Sequence, residues 1–306
     1  MASPRTQRLR VPASTSNVGP GFDAFSIALD MDLEVRWSPA EKSSVERSGA
    51  IAESDLRLAQ DPTVRGMRRA ATLASVELPK GKLQVSAPFP PGRGLGASGA
   101  GLVAGLMLGN RLTGGKLSDQ VLLEEAIELE GNPENAVGGM LAGAHWSIAD
   151  GKNSWLHMPV HLHRNLRFLL VIPPYPMATK RSREALPTSV SFARAMRQAH
   201  RPPILLEGLR NLKPDYIRIG IEDDLHVAPR LKLLTGARAI LDFAYEAGAL
   251  GATLSGAGSS LLVISRTGEV SNLETRLRSR VQRLWGADGM VMAARATNRG
   301  AQFLRP

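Results

Sequence analysis

The chain of 306 residues has no cysteine, few aromatics and no long apolar run. The missing cysteine excludes disulfide scaffolds, thiol nucleophiles, iron–sulfur clusters and thiolate zinc sites. The most apolar stretch, residues 99–109, is about half of what a bilayer-spanning helix needs, and glycines interrupt it. It reads as a buried helix. Residues 1–10 carry positive charge with no apolar segment after them, which is not the pattern of a secretory signal. The expectation is a soluble, cytoplasmic protein with no membrane partner.

Lysine is scarce as well. Only 8 Lys stand beside 30 Arg, and with 28 acidic residues the net charge is +10. A balance this basic raises nucleic acid, anionic membranes and phosphorylated small molecules as partners. The arginines are scattered, however. The nearest clusters are Arg65-Arg68-Arg69, Lys180-Arg181-Arg183 and Arg276-Arg278-Arg280, and none is interleaved with aromatics. That pattern is a solvated basic surface, so no nucleic-acid partner is expected.

What is present is globular: 43% hydrophobic and 22% charged residues, enough length for two modest domains, and no short repeat. Strand patterns fall at residues 9–12, 33–37, 82–86, 146–149, 155–160, 166–172, 252–254, 261–265 and 291–294. Helical patterns fall at 63–76, 97–112, 119–130, 181–186, 191–200, 231–247 and 273–285. Residues 13–23 read as a polar loop, 39–55 as turns or a short hairpin, and 131–139 as an irregular connection. Strands and helices mix without regular alternation, which argues for an α+β class. A boundary near 155–165 divides the chain into residues 1–160 and 161–306.

The segment Pro90-Pro91-Gly92-Arg93-Gly94-Leu95-Gly96-Ala97-Ser98-Gly99-Ala100 leads into a helix. A glycine-rich loop at a helix start offers unpaired N–H groups and the positive end of the helix dipole to a phosphate. Ser98 in the first turn could reach a phosphate or a bound Mg²⁺. No Lys follows, so it is not the P-loop pattern, and no long apolar strand precedes it, as a dinucleotide fingerprint requires. A tight turn with close helix packing explains the segment equally well. Farther on, the helix 119–130 has Leu122, Leu123, Ala126, Ile127 and Leu129 on one face and Glu124, Glu125 and Glu128 opposite, toward water. Glu130 falls on the apolar face, which is costly unless a cation meets it or the last turn frays.

Three segments taken together resemble the signatures of the GHMP kinase superfamily. They are Val11-Pro-Ala-Ser-Thr-Ser-Asn-Val-Gly-Pro-Gly-Phe-Asp23, residues 90–100, and Leu254-Ser-Gly-Ala-Gly-Ser-Ser-Leu261. The first, together with Glu130-Gly-Asn-Pro-Glu-Asn135 and Thr179-Lys-Arg-Ser-Arg-Glu-Ala-Leu-Pro187, is most similar to the homoserine kinase family. The resemblance implies an N-terminal half like ribosomal protein S5 domain 2 and a ferredoxin-like C-terminal half. It implies ATP-dependent phosphorylation of the L-homoserine side-chain hydroxyl in threonine biosynthesis, and, because such proteins are often dimers, a homodimer.

By the same resemblance, residues 90–100 with Gly256 and Gly258 surround the ATP phosphates, and Ser98 and Glu130 hold Mg²⁺. Asn17, Asp23, Asn135, Arg183 and Arg230 surround homoserine, with Asp23 on the amino group and Arg230 and Arg183 on the carboxylate. Glu130, Ser98, Asn17 and Arg183 form the catalytic set, and no general base is assigned. The chain departs from the pattern at Ala97, Gly99, Asn132 and Glu134. A kinase for another small hydroxy acid and a catalytically silent nucleotide-binding protein therefore stay open. Each residue also has a local alternative: Asn17 as a turn former, Asp23 as cap of an apolar helix at 24–29, and Arg183 and Arg230 as surface charges. His157, His161 and His163 have no carboxylate at ligand spacing and read as surface histidines.

Overall fold

A computed structural model describes residues 5–52, 56–151 and 154–305 of the chain. Residues 53–55, which end the polar stretch expected to turn, lie outside them. β1 (Gln7–Asn17) and β2 (Gly21–Pro39) form a long antiparallel hairpin, with Gln7 opposite Trp37 and, after a register shift, Ser16 opposite Ser26. The loop expected at 13–23 is therefore strand on both sides of a turn at residues 18–20, and the alternative helix at 24–29 is strand throughout. Ser14, Thr15 and Ser16 are almost fully buried. A buried backbone needs its polar groups paired, and a strand ladder does this where a loop could not.

β3 (Ser44–Gly49) runs parallel to β4 (Gly81–Ala87), with α1 (Pro62–Ala74) as the crossover. The hairpin considered for residues 39–55 is thus a parallel pairing instead, which requires a long connection. Asp61 caps α1, accepting from the Thr63 and Val64 N–H groups at 2.9 and 3.2 Å. α2 (Ala97–Leu112) is buried on most sides and crosses α1 closely; a Cβ on Gly105 would stand 2.0 Å from the Thr63 carbonyl oxygen. α3 (Asp119–Glu130) starts at the Ser118 cap and stops at Gly131, which has φ 83°. On α3, Glu125 does not face water as its wheel position suggested: it accepts from Arg69 of α1.

α4 (Pro133–Leu141) replaces the irregular connection expected there. Its glycines lower helix propensity, but Ala136 and Val137 are fully buried in the core, and packing outweighs propensity. β5 (Ala144–Ala149) pairs with β2 and with β6 (Trp155–Pro159), which widens the first sheet.

The second sheet begins with β7 (Leu166–Ile172). Five helices follow: α5 (Thr179–Glu184), α6 (Phe192–Asn211), α7 (Pro214–Gly220), α8 (Val227–Leu231) and α9 (Ala237–Glu246). Then come β8 (Gly251–Leu254), β9 (Leu261–Arg266), α10 (Val270–Trp285) and β10 (Met290–Ala294). The order β10-β7-β9-β8, antiparallel throughout, makes a β-α-β-β-α-β unit, the expected ferredoxin-like arrangement. Local patterns under-read this half. α6 runs past residue 200 and through Pro202 and Pro203, because buried Leu205 and Leu209 hold its second part against the core. α7 carried no periodic signal of sufficient length. The helix expected over 231–247 forms only from Ala237, as α9; α8 ends at Leu231, and turns over 232–236 part the two, with Gly236 at φ 79°.

After β10 the chain returns to the first sheet. β11 (Gln302–Phe303) pairs with β1, and Leu29 bridges Ala296. One core joins the two sheets, combining Phe25, Ile27 and Leu106 with Phe168, Leu170 and Ile264. A second core lies between the other face of the β7–β10 sheet and helices α9 and α10.

Candidate active site

The three motif segments meet in space, held by backbone hydrogen bonds. The Ser14 N–H donates to the Leu95 carbonyl at 3.2 Å and the Gly256 N–H to the Ser16 carbonyl at 2.8 Å. The Ser260 N–H donates to the Arg93 carbonyl at 3.0 Å, and Ser255 Oγ donates to the Gly94 carbonyl at 2.6 Å. Gly94 has φ 71°, and a Cβ there would stand 2.0 Å from the Ser255 carbonyl oxygen. The loop can follow this path only with glycine at that position. At its end the first turn of α2 carries no acidic residue and no side-chain cap, so its N–H groups and dipole stay available to an anion.

Glu130 ends α3 and turns inward; the last turn does not fray. Ser98 Oγ donates to Glu130 Oε2 at 2.9 Å, and the Asn135 amide also bonds this carboxylate. Burial pushes the Glu130 carboxyl above its ordinary range, opposed by those hydrogen bonds and by the charge of Arg65. Asn135 is itself fixed, its Oδ1 accepting from Ser14 Oγ at 3.1 Å.

The charged part of the site is built from both halves of the chain. Asn17, at φ 69°, accepts the Asp23 N–H on its Oδ1 at 2.8 Å, so it does form the turn and also presents Asp23. Arg183 of α5 forks onto both Asp23 oxygens and also donates to Asn132 Oδ1. Arg230 is only 2% exposed, which overturns its reading as a surface charge. Burial lowers its pKa to about 10, so it stays charged at neutral pH. Glu134 in the first turn of α4 is 3% exposed, and its Oε2 has no partner. Burial, with Asp23 and Glu130 nearby, pushes its carboxyl up to about 7.

These groups line one cavity of about 240 Å³. It brings together Asn17, Asp23, Glu130, Asn135, Arg183 and Arg230 with Gly92, Gly94, Leu95, Gly96, Ala97, Ser98, Gly256 and Gly258. Pro90, Pro91, Arg93, Gly99 and Ala100 do not reach it. Arg93 donates instead to the Pro174 carbonyl at 2.9 Å. Ala100 lies in the core, and a Cβ on Gly99 would stand 2.7 Å from the Asn135 Cβ, so its lack of a side chain lets α4 approach α2.

Family models described as the GHMP kinases N-terminal domain and the GHMP kinases C-terminal domain match residues 63–144 and 205–283. A homoserine kinase of Thermus thermophilus is 36% identical over 266 residues, 86% of this chain and 88% of that one. The chain belongs to the homoserine kinase family of the GHMP kinases. A homoserine kinase of Prochlorococcus marinus is 31% identical over 304 residues, 97% of this chain and 95% of that one. The crystal structure of homoserine kinase from Cytophaga hutchinsonii superposes with a TM-score of 0.83 over 99% of both chains at 22% identity, which establishes the shared fold.

Several cavity groups of this homoserine kinase relative escaped the sequence-based site. Arg65, Met177, Thr179 and Ala257 line it, and Glu134 and Asn132 stand out in the sequence only as departures from the family pattern. The spacing of His226 and Arg230, four residues apart, was the signal available for a further buried pair. Among the described residues, no group of three His, Cys, Asp or Glu side chains is placed to hold a metal ion. His157 instead bonds Ser147 Oγ through Nδ1 at 2.9 Å.

Proposed function

We propose that this protein transfers the γ-phosphoryl group of ATP to the side-chain hydroxyl of L-homoserine, giving O-phospho-L-homoserine, a step of threonine biosynthesis. The observation that carries this reading is one cavity that brings together two chemically distinct sets of groups. A glycine loop and an uncapped helix start form one set, and Asp23, Arg183 and Arg230 form the other. Phosphoryl transfer needs positioning and charge neutralisation more than covalent help, and this cavity supplies both.

In this reading the loop and the start of α2 hold the phosphate oxygens. A carboxylate of the acceptor meets Arg230 and Arg183, whose guanidinium forks suit it, and its ammonium group meets Asp23. Asn17 holds Asp23 in place, and Asn135 orients Glu130 and Ser98. A hydroxyl and a carboxylate 2.9 Å apart on the cavity wall are hard oxygen donors that fit Mg²⁺, which is bound by one or two carboxylates plus phosphates and water. Ser98 and Glu130 would hold it, and when bound it neutralises the charge that develops on the phosphate oxygens.

The division of the chain near residue 160 belongs to the same reading, supported by the change of sheet between β6 and β7. So do a cytoplasmic location, where ATP is available, and a homodimer, which light scattering on the purified protein would test. A coupled assay over a panel of hydroxy acids tests the reaction. Turnover on mevalonate or pantoate but not on homoserine would overturn the acceptor. Nucleotide binding without turnover on any alcohol would overturn the kinase assignment.

A further inference from the structure

Arg230 is a buried guanidinium, and two of its contacts are long: Nε to the Ser182 carbonyl and Nη1 to the Gly256 carbonyl, both at 3.4 Å. Its closer partner is His226 Nδ1, at 3.0 Å from Nη1. His226 is fully buried. Its other ring nitrogen, Nε2, stands 2.8 Å from the carbonyl oxygen of Gly19, in the turn between β1 and β2.

These two contacts determine the ring's protonation state. A carbonyl only accepts, so Nε2 carries the proton. A guanidinium only donates, so Nδ1 is the bare acceptor. A doubly protonated ring would set an N–H against an N–H of Arg230. Burial pushes the His226 pKa down, and the charge of Arg230 does the same, while Asp223 at 3.7 Å from Nε2, Asp23 and the Gly19 carbonyl oppose them.

The surroundings hold His226 firmly. Asp223 Oδ2 accepts the N–H groups of Leu225 and Val227 at 3.0 and 2.7 Å and that of His226 at 2.6 Å. The Phe22 ring stacks on the imidazole with centroids 5.0 Å apart, and the Arg230 guanidinium lies 5.1 Å from the centre of the same ring. The turn that His226 grips is the one that carries Asn17 and Asp23.

We infer that His226 is a positioning residue for the amino-acid acceptor. As the Nε2–H tautomer it aims the Arg230 guanidinium into the cavity and clasps the Asn17–Asp23 turn, so one imidazole sets the spacing between the group that meets a carboxylate and the group that meets an ammonium. The inference rests on the proposed reaction and deepens it: the preferred acceptor is a zwitterion whose two charges match that spacing.

The test uses the full-length protein and three variants, with steady-state kinetics in both substrates and thermal melts. His226→Asn keeps an acceptor near the Nδ1 position and loses the bond to Gly19. His226→Gln reaches toward Gly19 and loses the acceptor on Arg230. In His226→Ala the KM for homoserine should rise about tenfold or more, because a buried donor loses its partner, while kcat and the KM for ATP move less than about threefold. His226→Asn should recover most of that loss and His226→Gln little of it.

A homoserine KM within about twofold of wild type in a folded His226→Ala would overturn the inference. So would equal recovery by the two amides, or parallel losses in both KM values and kcat. Nitrogen NMR of the free protein gives a readout independent of turnover. An unprotonated Nδ1 at neutral pH is expected, and an Nδ1–H tautomer would refute the assignment. Wild-type inactivity on homoserine, with the expected tautomer present, would instead count against the proposed reaction alone.

Discussion

Arg183 grips Asp23 through two parallel hydrogen bonds, Nη1 to Oδ2 at 3.1 Å and Nη2 to Oδ1 at 3.0 Å, across 160 residues of sequence. The pair joins α5 to the β1–β2 turn at the rim of the cavity. Both side chains are partly open to water, with 40% and 31% exposed, so the pair adds little to stability. Its importance is geometric. A double-mutant cycle with Asp23→Asn and Arg183→Met should give a coupling in unfolding free energy below about 1 kcal/mol. Arg183→Lys, which loses the fork, should raise the KM for homoserine about tenfold or more. A large stability coupling with an unchanged KM would make the pair a structural clasp only.

Glu130 and Ser98 should affect turnover more than acceptor binding. Glu130→Gln keeps the size of the side chain and removes the charge. It should lower kcat about a hundredfold or more at saturating substrates, and Ser98→Ala should lower it less. Titration of activity with Mg²⁺ and Mn²⁺ should show a raised metal requirement in both variants. Near-normal kcat for Glu130→Gln at ordinary Mg²⁺ would remove this residue from the proposed metal site.

Glu134 makes stability depend on pH in a direction that can be checked. Its carboxyl titrates near 7 in the fold against an ordinary 4.5. Below pH 4.5 both folded and unfolded chains hold the proton. Between 4.5 and about 7 only the unfolded chain releases it, so the native state loses stability as pH rises, by up to the order of 3 kcal/mol. Glu134→Gln is free of this loss. Denaturation of the two proteins should show the Gln variant gaining on wild type between pH 5 and pH 8. A difference that stays constant with pH would contradict the raised pKa of this buried carboxyl.

Gly94→Ala tests the proposed role of the glycine loop in holding phosphate. The added Cβ would meet the Ser255 carbonyl oxygen at 2.0 Å in a left-handed backbone. The loop must move, and with it the third motif. A loss of about 1–3 kcal/mol in chemical denaturation and a marked rise in the KM for ATP are expected. Unchanged values for both would show that the loop does not need this close approach.

Much of the site is legible in the residue order. Glu130 stands out on the α3 wheel because a carboxylate among Leu122, Ala126 and Ile127 needs a reason, and residues 90–100 carry the loop chemistry in their glycines. The fold is less legible where local signals conflict with packing. Residues 13–17 are polar yet form a central strand, since Ser14, Thr15 and Ser16 bond to Asn135, Ser255 and Gly256 rather than to water or to one another. Residues 133–141 contain glycine and proline yet form a helix, because its buried face is needed by the core. Glu134 stands out only as a departure from the family pattern, and His226 only by its spacing from Arg230.

By itself, the order of residues determined the periodic elements, the caps at Asp61 and Ser118, and the glycine loop, because each depends on neighbours within a turn or two of the chain. Tertiary structure decided which charges meet. Arg183 finds Asp23, Arg230 finds His226, and the proton on His226 is placed by a carbonyl 207 residues away. Such contacts exist only once the core has formed, since burial makes each unpaired polar group costly and so selects its partner.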